Sequence, residues 1–462
     1  MSNDKLNWKD APCHFTWGMD RTVQKVHESS SVFQGENAEL YSDDEESCYM
    51  FVYLAYLEFL VCRNVDQKFD GSLDKADKII GKMRDESGKR AFQLVSLANR
   101  AWILSMSGES PEAIASVTSQ LLKVYGDYLS DNNKKETAYL NAIEAFALRR
   151  ILLNEKSEEK YQFAIRVIPD IAMWYYELER VAGSSPMMNS SQKTRAKIKH
   201  FKKALQFKPD YIRCMVKLID CYLRVGNVRD ARVELNHLEQ YDTSGIATAI
   251  CVRASFYNTV NDNDKALRIL FKAEKLNHSD IDKNIAITYI LKSKSVSPLK
   301  RNKYLKDALT YVEKCLLKHP GSYYGIATKF EVLCLLKEST DIVENFLRKL
   351  IVDRPLPPSH LLSLFLKMMK IFEEANKFNP HPDHEIVLTL YENMVQVALQ
   401  GCLKNDDNGE MILSATVKVI LNEAKTFVDR YLKKNRNVLN ERNERFLELN
   451  ERLLPYLNND AI

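Results

Sequence analysis

Few groups in this 462-residue chain stand at the spacings that catalysis or metal binding requires. His381 and His384 flank Pro382 and Asp383 at a metal-like interval, but the prolines break any helical face there, and no Cys or His lies near in sequence to complete four ligands. Cys214 and Cys221 are seven apart and share a helical face, as core thiols do. The nine cysteines are otherwise scattered, which points to reduced thiols in a cytosolic protein. No phosphate loop, zinc-finger spacing, nucleophile elbow or pair of catalytic carboxylates can be placed. A non-enzymatic chain without metal or cofactor is therefore expected. What recurs is cationic residues beside aromatic rings: Phe146 with Arg149 and Arg150, Trp174 and Tyr176 with Arg180, then Arg213, Arg224 and Lys283. Guanidinium groups hold phosphates through paired, charge-assisted hydrogen bonds, and rings stack on bases.

The elements that position these residues repeat. Units end at Pro169, Pro209, Thr243, His278, Pro320 and Pro355, at steps of 40, 34, 35, 42 and 35 residues. A step of 34 is the tetratricopeptide period, a helix pair that buries its apolar face only against its neighbours. Small residues let the paired helices approach, large ones fill the gap, and Pro stops the second helix. Ala254, Tyr257, Ala266, Leu270 and Ala273 keep that register in one unit. Ile219, Tyr222, Ala231, Leu235 and Leu238 keep it in the unit before. The predicted fold is an all-α tetratricopeptide superhelical solenoid. Its first helices line an inner groove, and the arginines and rings above fall on that face. Such a groove suits single-stranded RNA. It also suits a peptide, because any repeat scaffold presents some Arg and Tyr inward.

Four segments are expected: a cap at 1–47, the repeat array at 48–356, a degenerate repeat at 357–404 and a helical cap at 410–462. The two long steps read as loop insertions, Gly183 to Gln192 and Ser293 to Arg301. Residues 34–47 hold six acids and no base, expected as a solvated face that starts the first helix at a capping box, Ser42 to Glu45. Residues 404–409 read as a polar linker. Beyond them Val417, Ile420, Leu421, Ala424, Phe427, Val428 and Tyr431 share a helical face, suited to capping the array or to a partner helix and homo-oligomer. The longest apolar run, Tyr49 to Cys62, is too short to span a membrane and carries Glu58. Net charge is only +4, yet residues 193–217 hold nine Lys or Arg against one acid, and 283–306 hold seven against none. An anionic partner would feel that local field.

Cys13-His14-Phe15-Thr16-Trp17 resembles the opening motif of the interferon-induced proteins with tetratricopeptide repeats. Leu94-Val95, Asn99, Ala101-Trp102 and Gly108 resemble that family's second-repeat signature at the same internal spacing, and the likeness runs over about residues 10–330. The resemblance implies a cytoplasmic antiviral effector of innate immunity whose basic channel takes the 5′ end of single-stranded RNA. On that resemblance Phe146 stands where the family has a cap-pocket Trp and Arg149 where it has a channel Lys. Lys283-Asn284 replaces a His-Gln pair, and Arg180 matches a phosphate-binding Arg. The alternative within the same pathway is a protein-interaction scaffold that has lost RNA recognition. The sixth repeat departs: Cys251, Ser255, Asn258 and Thr259 stand where the family has four cationic residues. Neutral donors there do not balance the added charge of a triphosphate where water is partly excluded. The preference for 5′-triphosphate over 5′-hydroxyl RNA should thus be less than about tenfold, or about 1.4 kcal/mol. Competition between the two RNAs checks it, and a hundredfold preference would show that other residues rebuild the phosphate pocket.

Overall fold

The computed structural model describes residues 7–14, 16–17, 45–61, 70–131, 133–150, 153–182, 190–353, 356, 358–375 and 384–401, with short pieces at 404–405, 411–412, 422, 424–429, 444–445, 447–449 and 451–452. Statements of absence below concern these residues. They form an all-α array of paired helices, the tetratricopeptide solenoid. The chain divides into two compact units, 1–252 and 253–462.

In the first unit the pairs are α1 (Glu45–Val61) with α2 (Asp70–Lys82), α3 (Glu86–Ser107) with α4 (Pro111–Asp131), and α5 (Lys134–Arg150) with α6 (Asn154–Val167). Next come α7 (Ala172–Ala182) with α8 (Ser190–Phe207), and α9 (Ile212–Arg224) with α10 (Val228–Leu238). Helix α11 (Ala247–Thr259) precedes α12 (Asn263–Lys272). The second unit continues with α13 (Ser279–Ser293) on α14 (Pro298–Lys318), α15 (Tyr323–Leu336) beside α16 (Thr340–Asp353), and α17 (Pro358–Ala375) on α18 (His384–Gly401).

The repeat residues are the core. Ala231, Leu235, Ala254, Ala266 and Leu270 are all fully buried. Small side chains at the crossing points bring the helix pairs close enough to exclude water, which is where the stabilisation of each pair comes from. Two turns between paired helices place a glycine in the left-handed region, Gly108 (φ +73°) and Gly226 (φ +74°). Side chains then start the second helices: Asn227 accepts from the Asp230 backbone N–H, and Asp262 from that of Lys265.

Two expectations change. Ser293 to Arg301 is a loop only over residues 294–297: Ser297 sits at the N-cap and Pro298 at the first helical position, so α14 runs 21 residues. Residues 190–192 likewise open α8, which runs 18 residues, whereas α10 runs 11. The long steps are absorbed largely as extra turns of second helices. Residues 183–189 lie outside the described residues. At the linker, Lys404 pairs with Ile412 and Asn405 with Met411 in a two-residue antiparallel ladder. Of the C-terminal segment, Ala424, Val428 and Leu449 are buried in the second unit's core, and Phe427 packs on Tyr391 at 5.2 Å. Arg445 joins them through Glu385 at 2.8 Å and Glu392 at 2.7 Å. Residues 42–44, 381–383, 417, 420, 421 and 431 lie outside the described residues. No described helix is long and apolar enough to cross a membrane.

The two short motifs prove to be one joint. The Asn99 amide donates to His14 Nδ1 at 2.9 Å and to the Val52 carbonyl at 3.0 Å, while its oxygen accepts from the His14 backbone N–H at 3.3 Å. The His14 ring lies among Trp17, Tyr53 and Tyr56, and Trp8 meets Trp102 edge-on at 5.5 Å. Burial lowers the His14 pKa to about 3, so the ring is neutral. Between pH 6.5 and 3 the unfolded chain binds a proton at His14 that the folded chain does not, so stability falls as pH falls. We expect a loss of about 1.4 kcal/mol between pH 7.5 and 5.5 from this residue. Urea midpoints at the two pH values check it: the shift should shrink in His14→Asn, and an equal shift in both proteins would place the titrating group elsewhere.

Candidate nucleic-acid interface

The sequence-predicted residues of the first unit converge, and they do so around carboxylates that the sequence reading had not singled out. Helix α7 carries Glu177, whose side chain is 4% exposed. Arg149 of α5 reaches it at 2.7 Å through Nε, Arg150 at 3.6 Å through Nη1, and Arg180, one turn along α7, at 3.8 Å. The Arg150 guanidinium lies over the Phe146 ring, 4.1 Å from its centroid. Arg149 Nη2 is buried with no hydrogen-bond partner among the described residues, as is the Tyr161 hydroxyl. Burial, then the Glu177 charge, holds that phenol well above its ordinary range.

A second carboxylate lies on α1. Glu46 meets Lys208 at 3.2 Å and Arg213 at 3.7 Å. Its side chain is only 12% exposed, so the acidic run is not wholly a solvated face: its last acid turns inward with the first turn of α1. Tyr211 lies close by, its phenol held well above the ordinary range by burial and then by Glu46. Three guanidinium groups thus gather at Glu177, and Lys208 and Arg213 at Glu46, inside one unit. A buried charge is costly unless paired, and these carboxylates supply pairing.

The rings take other roles than expected. Phe146 is 1% exposed, with Tyr49 at 5.7 Å and Tyr53 at 6.5 Å around it and Arg150 on its face. Trp174 is fully buried and donates its indole N–H to the Tyr49 hydroxyl at 2.8 Å. Neither presents a face on which a base or cap can stack; both hold α5 and α7 against α1. Tyr176 is buried between Phe201 and Tyr211. Arg224 stands apart, 65% exposed and paired with Asp220 at 2.9 Å. In the second unit Lys283 pairs with Asp280, and Asn284 donates to the Asp280 carbonyl at 2.8 Å. The sixth repeat offers Asn258, whose amide donates to Thr288 at 2.9 Å, and Thr259, whose hydroxyl donates to the Ser255 carbonyl at 2.9 Å. Cys251 is half-buried.

Arg180 also lines an open pocket of about 530 Å³ between α7, α8 and α9, with Lys193, Lys197, Lys217 and Arg224. Lys193 and Lys197 come from the basic segment at 193–217, where charge density gave the signal although no single residue did. A further cavity of about 370 Å³ is lined by Tyr49, Phe92, Tyr139 and Phe207, with Glu46, Asp85 and Asp170 among the acids. Among the described residues no group of three His, Cys, Asp or Glu is placed to hold a metal. Burial pushes the Cys221 thiol up to about 11 and that of Cys214 further, so neither is a ready nucleophile at neutral pH.

Fold and site together define a tetratricopeptide array with an arginine-rich interior. Neither a family model nor a curated protein matches the chain. Solved structures do. The human IFIT1 dimer with m7Gppp-AAAA is 17% identical with a TM-score of 0.63, covering 97% of this chain and 98% of that one. The human IFIT1 dimer with PPP-AAAA is 17% identical with a TM-score of 0.59, covering 97% of this chain and 99% of that one. An IFIT1 monomeric mutant with Gppp-AAAA has a TM-score of 0.61 at 17% identity, covering 97% and 99%. The chain therefore has an IFIT1-like fold over nearly its whole length.

Glu177→Gln removes the carboxylate shared by three guanidinium groups. Breaking a buried ion pair from one side costs about 3–5 kcal/mol, so the variant should melt at a markedly lower temperature. Added phosphate should restore part of the loss by entering among the arginines. Wild-type stability in Glu177→Gln would show that the guanidinium groups do not depend on this acid.

Proposed function

We propose that this chain binds single-stranded RNA without catalysis, holding RNA phosphates at the interior arginine cluster of its first unit. The observation that carries the reading is the convergence of Arg149, Arg150 and Arg180 on Glu177, which sets three guanidinium groups side by side. Guanidinium forks match phosphate oxygens. The likeness to IFIT1 structures holding triphosphate and capped oligonucleotides supports the same chemistry. Placement among the antiviral proteins of innate immunity, in the cytoplasm, belongs to this proposal.

Recognition on this reading rests on phosphates more than on stacking, since Phe146 and Trp174 are enclosed. The second reading, a protein-interaction scaffold, is favoured by the second unit, where Lys283 is balanced by Asp280 and Lys318 by the buried Asp282 at 2.5 Å. The two differ in their response to salt. RNA affinity should fall with a log-log slope of about −0.7 per phosphate held, and Arg149→Gln should lessen that slope by about one such contact. RNA binding that ignores salt, or an acidic peptide bound in place of RNA, would overturn the RNA reading and favour the scaffold.

A further inference from the structure

The basic segment at 283–306 has no part in the cluster of the first unit. Its densest stretch opens α14, where Lys300, Arg301, Lys303 and Lys306 stand exposed within the first three turns. None of these four side chains has an ion-pair partner among the described residues, whereas at the far end of the helix Lys314 meets Glu274 at 3.3 Å and Lys318 meets Asp282 at 2.5 Å. Asp307 is the one acid between Pro298 and Val312, half-buried beside Tyr289 and Tyr311. Cations in the opening turns oppose the helix dipole, so they cost α14 stability where they stand.

Two leucines share that surface. Leu299 is 87% exposed and Leu317 85%, the two most exposed large hydrophobic side chains among the described residues. They stand 18 residues apart, five turns of the helix, so both face the same side at a separation of about 27 Å. Lys303 and Lys306 lie between them on that side, while Leu305, Ala308, Val312 and Cys315 are buried on the other.

We infer that the outward face of α14 docks on an anionic phospholipid surface, lying flat on it without crossing. Lipid headgroups supply negative charge for the four cations, and the acyl boundary just beneath them accepts aliphatic side chains. One flat interface with both properties matches a face that carries both over five turns. RNA would offer the charge but no place for the leucines. It would also ask for an open ring, and Tyr304, which lies among these cations, is stacked on Tyr289 at 5.9 Å with Lys292 5.0 Å from its centroid. The inference goes beyond RNA binding by the first unit and does not rest on it.

Flotation of the full chain with vesicles tests the face. Binding to phosphatidylserine mixed into phosphatidylcholine should be at least about tenfold tighter than to phosphatidylcholine alone, and should weaken as salt rises. Lys303→Ala/Lys306→Ala should weaken it about tenfold, whereas Lys134→Ala/Lys135→Ala, which removes the same charge from exposed residues of α5, should leave it unchanged. Leu299→Ser/Leu317→Ser should weaken it as well, with charge and melting temperature unaltered. A wild type that does not float with phosphatidylserine vesicles, equal loss in both lysine variants, or full binding by the leucine variant overturns the proposal. Without vesicle binding, lower RNA affinity in Lys303→Ala/Lys306→Ala assigns the face to RNA, and an altered oligomeric state in the leucine variant assigns it to a second copy of the chain.

Discussion

The first unit is organised around one charge cluster: three guanidinium groups close on the carboxylate of Glu177, while Lys208 and Arg213 meet Glu46. Charges taken out of water must be compensated nearby. The surrounding packing is what keeps the arginines from swinging out to solvent. Phe146 lies flat beneath Arg150, Trp174 is tied to Tyr49, and Tyr161 closes the wall at full burial. A repeat scaffold is suited to holding such a cluster, because each helix pair is fixed by its neighbours and not by the site itself.

Charge is handled differently in the second unit. Lys283 has Asp280, Lys318 has the buried Asp282, and Lys292 has Asp264 at 2.5 Å. Arg445 reverses the pattern of the first unit, one guanidinium among Glu344, Glu385 and Glu392. That arrangement fastens a described piece of the C-terminal segment onto α16 and α18. The clustering of arginines is thus a property of particular turns, not of helical repeats in general.

The repeat was legible because its cause is local. Ala231, Ala254 and Ala266 recur at positions where any larger side chain would part the helices, and that requirement shows in one sequence without its neighbours. The long steps were visible as well, but composition misjudged the second. Ser293 to Arg301 is rich in Ser and Lys, yet Ser297 and Pro298 are helix-starting residues, and the chain lengthened a helix where a loop was expected. The arginines of the site could be named because repeat register assigns a face. Which rings were free could not, since Phe146 and Trp174 are covered by Tyr49 and Tyr53, about 90 to 125 residues away in sequence. The carboxylates were hidden for the same reason: Glu46 looked like part of a solvated acidic run, and only its placement opposite α9 turns it into the partner of Arg213. His14 and Asn99 mark the boundary between the two cases, two motifs visible separately whose contact only the fold supplies.

On the proposed function, RNA phosphate is held at the Glu177 arginine cluster. A crystal structure of the chain with a short 5′-triphosphate single-stranded RNA tests it most directly. The account predicts phosphate oxygens within hydrogen-bond distance of Arg149 and Arg180, with the Arg180 side chain withdrawn from Glu177. RNA lying elsewhere on the chain, with all three arginines still on Glu177 and the cluster empty of phosphate, would contradict it.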